Sequence, residues 1–262
     1  MHPAPGIHKV RASMRGNLSE RPYSSLWPFC RMVAGASEEG RLMELDGLIA
    51  AIVPVTPDRS VVNSVAYRST RALERALGEI GDAYDRAGVR AWTVWVPEHD
   101  AATQRLLVEA GHTLDAAPRA MALALEEFDQ PPSAGLDVDR DPPAADVGRI
   151  NDAAYGFDGD FGRAFTRRPE NLNLYGTRVG GETVACVGSI HYEGDCGIYL
   201  VATHPAARGR GLARELMIAA LQDARAAGCE SASLQSTTMG QPVYARLGFR
   251  DFGTIQMWER RK

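Results

Sequence analysis

The stretch from Tyr199 to Arg214 constrains this chain more than any other: Tyr-Leu-Val-Ala-Thr-His-Pro-Ala-Ala-Arg-Gly-Arg-Gly-Leu-Ala-Arg. An apolar run ends at Thr203, Pro205 punctuates it, and Gly209 and Gly211 lie in a loop that opens a helix. A strand that delivers a glycine loop to a helix N-terminus makes an anion site. The first backbone N–H groups of a helix have no partner within it, and its dipole favours negative charge there. Glycine lets bare backbone approach the anion, because no Cβ intrudes. Arg208, Arg210 and Arg214 add cationic side chains. The loop matches neither familiar nucleotide fingerprint: it has no Lys-Ser/Thr pair and no G-x-G-x-x-G spacing. Taken alone, it could equally be a solvent-facing arginine turn.

The downstream sequence decides between these. Residues 212–227 read as a helix, with Ala213, Met217, Ala220 and Ala224 on one face and Gly228 as its stop. A strand is expected over 231–236, then a short helix over 241–247, ended by Gly248 and followed by Phe249. Arg208-x-x-Gly211-x-Ala213, directly after Val201-Ala202-Thr203-x-Pro205, resembles the acetyl-CoA loop of the GNAT N-acetyltransferase superfamily, Gln/Arg-x-x-Gly-x-Gly/Ala. Tyr244-x-x-x-Gly248-Phe249 resembles that superfamily's second signature, and the two stand in the right order, separated by helix and strand.

The resemblance implies an α/β (α+β) fold, a mixed and mostly antiparallel central sheet flanked by helices. It implies acetyl-CoA as co-substrate, with no metal, and direct attack of an amine on the thioester. The cofactor-binding residues it implies are Val201, Ala202 and Thr203 at the strand end, then Arg208, Gly209, Arg210, Gly211, Leu212, Ala213 and Arg214 through the loop. The backbone N–H of Val201 would polarise the acetyl carbonyl. Tyr244 would protonate the departing thiolate. Many relatives carry Asn seven residues before that tyrosine, where this chain has Thr237, which weakens any carry-over of pantetheine contacts from that loop. His191, Glu193, Asp195 and His204 lie near the right strands, and none is singled out as a base. By resemblance the acceptor would be lined by residues 151–165. Tyr155, Phe157, Phe161 and Phe165 with Asp158 and Asp160 would suit a cationic amine with an apolar body. The same aromatics could be core and the same carboxylates solvated.

The rest of the chain echoes this unit. Residues 1–15 lack periodicity and read as a flexible tail in which Met14 is a possible start. A first unit is expected over 16–128, with strands over 41–48 and 49–55, a helix over 70–87 closed by Gly88, a strand over 91–96, a helix over 101–110 stopped by Gly111, and a strand over 120–125. An acidic, Pro-rich linker over 129–143 follows, then a second unit over 144–262. That unit opens with a helix over 144–155, a hairpin of strands over 172–179 and 183–192 turned at Gly180-Gly181, and a central strand over 197–203. Helix, Gly88, strand, helix, Gly111-His112 parallels helix, Gly228, strand, helix, Gly248-Phe249. This points to an internal duplication, a tandem of two GNAT-like domains with a degenerate first copy; an ordinary α/β order is the alternative. Ala66-Tyr67-Arg68-Ser69-Thr70 lacks the glycine loop, and Leu107 stands where the second unit has Tyr244. Trp27, Trp92 and Trp95 are expected in the core.

Composition narrows the function. The chain has 262 residues, 45% hydrophobic and 24% charged, with a net charge of −4 and a pI near 5.9. This is no electrostatic footprint for nucleic acid. The apolar run near Leu48–Val55 is too short to span a bilayer, and no stretch has signal-peptide form. Cys30, Cys186, Cys196 and Cys229 are scattered without metal-ligand spacing, as in a reduced cytoplasmic protein. The expectation is an N-acetyltransferase acting on the primary amine of a small molecule, with no nucleic-acid or membrane partner and a homodimer left open. A peptide or protein N-terminal acetyltransferase and a non-catalytic acetyl-CoA sensor are the alternatives. Gly211→Asp should abolish acetyl-CoA binding while the fold is retained, since it places a carboxylate where a pyrophosphate would sit. Unchanged affinity by calorimetry would remove this loop from the site.

Overall fold

Two helices with one apolar face each set the layering. The computed structural model describes residues 17–131 and 135–262, so the tail expected over 1–15 lies outside the described residues. A helical turn, Arg21–Ser24, leads into helix α1, Leu26–Gly35. Strands β1 (Arg41–Leu45), β2 (Leu48–Ile52) and β3 (Ser64–Tyr67) precede α2, Thr70–Arg86. Ala72, Leu73, Ala76, Ile80 and Tyr84 form the buried stripe of α2, at helical spacing. Then come β4 (Ala91–Pro97), α3 (Ala101–Glu109), β5 (Thr113–Ala116) and β6 (Arg119–Ala124). The second half runs α4 (Ala144–Tyr155), α5 (Asp160–Ala164), β7 (Leu172–Val179), β8 (Glu182–Tyr192), β9 (Asp195–Thr203), α6 (Leu212–Ala226), β10 (Ser231–Ser236), α7 (Gln241–Arg246) and β11 (Arg250–Arg261). In α6, Leu216, Met217, Ala220, Leu221 and Ala224 face the sheet.

The strands form one sheet in the order β1-β2-β3-β4-β11-β6-β10-β9-β8-β7, with β5 on β11. The architecture is mixed α/β, mostly antiparallel, flanked by helices. The two parallel pairs are β3 with β4 and β9 with β10. The last strand of each half sits in the other half's sheet. Strand β6 pairs along its whole length with β10, from Ser231↔Ala124 to Ser236↔Arg119. Strand β11 pairs with β6 through Arg250 and Asp251, then with β4 from Ile255↔Pro97 to Arg261↔Ala91. Aromatic and aliphatic side chains from both halves, Leu26, Phe29, Trp95, Phe165, Leu172 and Tyr199 among them, share one buried cluster.

The strand boundary expected at residue 48 falls earlier. Gly47, at φ +74°, makes the turn between β1 and β2, a backbone that glycine adopts without strain. Helix α1 and strands β3 and β5 were not anticipated. The three tryptophans are buried, yet Trp95 also walls a cavity described below. All four cysteines are buried and unpaired. Among the described residues no helix is long and apolar enough to cross a membrane, and no three His, Cys, Asp or Glu side chains are grouped to hold a metal.

Residues 131–262 expressed alone would lose β6 and leave β10 as an unpaired edge, a template for aggregation. That fragment should be insoluble or oligomeric. A monomeric, cooperatively folded fragment by size exclusion and thermal melt would contradict the exchange of strands.

Candidate active site

The site is organised by two parallel strands that part. Strands β9 and β10 pair only at Asp195↔Ser231, Cys196↔Ala232 and Gly197↔Ser233, and then diverge. Asp195 clamps the closed end: buried, it accepts hydrogen bonds from Ser231 Oγ (2.6 Å) and Ser233 Oγ (2.5 Å). Burial raises its pKa, and the two serine hydroxyls oppose the rise. On the other side of β9, the register with β8 slips between Cys186 and Gly188. Leu200 there adopts φ +54°, costly for a side chain with a Cβ. Side chains hold this bulge. Cys186 Sγ donates to the Leu200 carbonyl (3.3 Å), and Tyr155 Oη donates to the Val201 carbonyl (2.8 Å). Burial pushes the Cys186 thiol up to about 12, so it remains a donor.

The loop after β9 presents an open helix N-terminus. Gly209 and Gly211 have φ of +77° and +74°, and a Cβ at either would meet nothing within 4 Å. Gly211 caps α6 with no side-chain hydrogen bond, so no side chain competes for the first amides of the helix. Arg208 donates to the Ala154 carbonyl at the end of α4 (2.7 Å), pinning the loop to that helix. Arg214 points elsewhere, to Gln130 Oε1 (2.7 Å) and to Glu215. Arg210 is exposed, and Leu212 is buried beneath the helix. Val201, Ala202, Thr203, Arg208, Gly209 and Ala213 line a cleft of about 290 Å³.

The junction of β3 with α2 in the first half is closed. The chain passes from β3 into α2 within a few residues, and Ser69 caps that helix by accepting from the Ala72 N–H (3.2 Å). Tyr23 Oη accepts from the Tyr67 N–H (3.2 Å) and donates to the Tyr67 carbonyl (2.8 Å), so it occupies both backbone groups at the end of β3. In the second half, Tyr155 reaches a carbonyl alone.

Tyr244 is almost fully buried on α7. A Cβ on Gly240 would come within 2.9 Å of its ring, so glycine there lets the ring lie flat against the turn. Burial, and then the neighbouring Tyr155, raise the Tyr244 pKa, keeping the phenol protonated. The cleft and a second cavity of about 380 Å³ meet at four shared residues: Tyr155, Val201, Thr237 and Tyr244.

The second cavity is ringed by aromatics. Tyr155, Phe157 and Phe161 line it and stack in succession, with Phe165 buried behind them; the centroids are 5.9, 5.4 and 5.7 Å apart, the last two pairs nearly parallel. Asp160 does not face the cavity as a free carboxylate, for it accepts from Arg59 (2.5 Å) and Arg163 (2.6 Å). Much of the wall comes from the first half: Phe29, Arg59, Trp95 and Asp115. No motif in the sequence marks these four, because they become neighbours of α4 only through the exchanged sheet. Of the possible bases, His204 Nδ1 accepts from the Ala206 N–H (3.3 Å), Asp195 is the strand clamp, and Glu193 lines a different cavity. His191 is half-buried on β8, and none of the four lines the cleft or the second cavity.

An exchanged sheet with splayed parallel strands, a bulge and a glycine-capped helix defines an acetyltransferase-type fold. Residues 142–249 match the profile of the Acetyltransferase (GNAT) family, and this part of the chain belongs to that family. By class the protein is therefore an acyl-CoA-dependent acyltransferase. Solved structures agree on the fold across nearly the whole chain. A GCN5-related N-acetyltransferase from Kribbella flavida superposes with a TM-score of 0.67 at 19% identity, covering 94% of this chain and 96% of that one. Another, from Sphaerobacter thermophilus, gives 0.54 at 18% identity over 94% of both chains. A tandem GNAT protein from the clavulanic acid biosynthesis pathway gives 0.57 at 16% identity, over 86% of this chain and 84% of that one. A comparison with curated proteins finds no match.

Proposed function

We propose that the protein transfers the acetyl group of acetyl-CoA to the primary amine of a small molecule, and that its first half is a degenerate GNAT copy that walls the acceptor cavity. The observation that carries this reading is the meeting of cleft and cavity at Val201 and Tyr244. The cleft fits the co-substrate: it runs from the bulge to an uncapped helix N-terminus bare of Cβ atoms, as a pyrophosphate requires. Bound acetyl-CoA supplies an activated acyl group as a thioester. The Val201 N–H polarises its carbonyl, and the bulge held by Tyr155 and Cys186 fixes that backbone beforehand. The amine nitrogen forms a bond to the acetyl carbon as the carbon–sulfur bond breaks. An acceptor that arrives as an ammonium first loses one proton to solvent. Tyr244 then gives its proton to the departing sulfur, and the second proton, lost by the nitrogen as the amide forms, restores the phenol by way of solvent. Burial disfavours thiolate as it disfavours phenolate, so the transfer from a high-pKa phenol is matched to a high-pKa thiol.

The cavity's size favours a small acceptor over a peptide, since about 380 Å³ lies within the usual range for small-molecule pockets. In the first half, Leu107 is fully buried at the position corresponding to Tyr244 and has no proton to give. Tyr244→Phe should leave acetyl-CoA affinity nearly intact and lower kcat by roughly tenfold to a thousandfold in a thiol-release assay over an amine panel. A variant as fast as wild type, with chemistry shown to be rate-limiting, would remove Tyr244 from the mechanism.

A further inference from the structure

We infer that Asp115, contributed by the first half, is the carboxylate that recognises the acceptor's ammonium group, and that the acceptor carries that group on an apolar, ring-bearing body without a carboxylate. The inference rests on the transferase reading and names the substrate class of the same site.

Among the described residues lining the acceptor cavity, Arg59 and Asp115 carry charge. Arg59 is already committed. Its Nε and Nη2 donate to Asp160 at 2.8 and 2.5 Å, and its guanidinium lies 3.9 Å above the Phe157 ring. Asp115 is in the opposite condition. No donor among the described residues hydrogen-bonds its carboxylate, although it lines the cavity.

The backbone explains why it faces this way. Strand β5 pairs with β11 at Leu114↔Trp258 and Ala116↔Met257, so Asp115 is one residue too many against consecutive partners. It is the extra residue of a β-bulge, a device that re-aims a side chain and recurs beside active sites. Met257, its neighbour across the bulge, lines the same cavity. Partial desolvation, and then the Glu259 carboxylate, raise the Asp115 pKa, while Arg261 and Arg59 oppose them. Glu259 is itself paired with Arg261 (2.7 Å). Asp115 is exposed at the edge of the cavity, so an arriving cation would replace water on a carboxylate that no protein group holds.

The remaining walls select the body. Arg59 covers Phe157, which also stacks on Phe161, so the aromatic surface left to a ligand is mainly that of Trp95 and Tyr199. Flat aromatic faces favour a ring, and they also attract a cation. A carboxylate on the acceptor would meet Asp115 with no uncommitted cation to hold it. A polyamine would place its further charges against apolar walls.

The test compares wild type with Asp115→Asn and Asp115→Glu, using 2-phenylethylamine, phenylalanine and spermidine as acceptors. Thiol release gives kcat and KM, and calorimetry gives acetyl-CoA affinity. For wild type, kcat/KM should be highest with 2-phenylethylamine, by about tenfold or more over the other two. Asp115→Asn should lower that value by roughly three- to tenfold, mainly through KM, with acetyl-CoA affinity unchanged. Asp115→Glu should recover part of the loss. Phenylalanine or spermidine as the preferred acceptor would overturn the inference and leave the transferase reading standing. So would an Asp115→Asn variant matching wild type, or an enzyme that binds acetyl-CoA and does not turn over 2-phenylethylamine. Failure of wild type to bind acetyl-CoA would overturn both.

Discussion

The site depends on keeping two neighbouring strands apart. A parallel pair that stayed in register would close its own edge with ladder hydrogen bonds and leave no slot. Here β9 and β10 are locked together at one end by a buried carboxylate, Asp195, shared between two serine hydroxyls. Beyond Gly197 they separate, and the bulge at Leu200 bends β9 away. Backbone groups exposed inside a protein need partners. The Tyr155 hydroxyl and the Cys186 thiol supply two of them, so the strained turn at Leu200 is held from both sides. The acceptor cavity and the cleft then share the residues at which the strands part.

The junction of β3 with α2 and the junction of β9 with α6 are built in opposite ways. In the first, a serine caps the helix and Tyr23 occupies both backbone groups at the end of β3. In the second, glycine leaves the helix end open, and a tyrosine from the preceding helix takes a carbonyl alone. On the proposed reading, one ancestral arrangement has been closed in the first half and kept open in the second. Exchange of β6 and β11 ties the two halves into one sheet. The first half completes the sheet beside β10 and carries Phe29, Trp95 and Asp115 to the acceptor side. Removing it would open the cavity and unpair the strand that leads to Tyr244.

Much of this was legible in the sequence where local chemistry sets structure. The glycines at 209 and 211, the helix stops at Gly88 and Gly228, and the hairpin at Gly180-Gly181 each mark a backbone that only glycine adopts easily, and the elements beside them fall where expected. The lack of a glycine loop at residues 66–70 was legible as well, though the Ser69 cap was not read from it. What stayed hidden is non-local. Nothing near Arg119 or Arg250 says that those strands cross to the other half, because alternation fixes a strand's face and not its neighbour. Asp160 looked like a free carboxylate until Arg59, about a hundred residues earlier, proved to be its partner. Asp115 had no signature, since its orientation comes from a register slip against β11. The loop arginines carried less than their charge suggested: Arg208 holds a carbonyl and Arg214 turns to Gln130.

On the proposed reading both halves build the acceptor cavity, while the second alone keeps an anion site and a proton donor. Isothermal titration of the full chain with acetyl-CoA tests it most directly. The account predicts one molecule bound per chain. Two per chain would contradict it, showing that the Ser69 cap and the Tyr23 contacts do not close the first half to the cofactor.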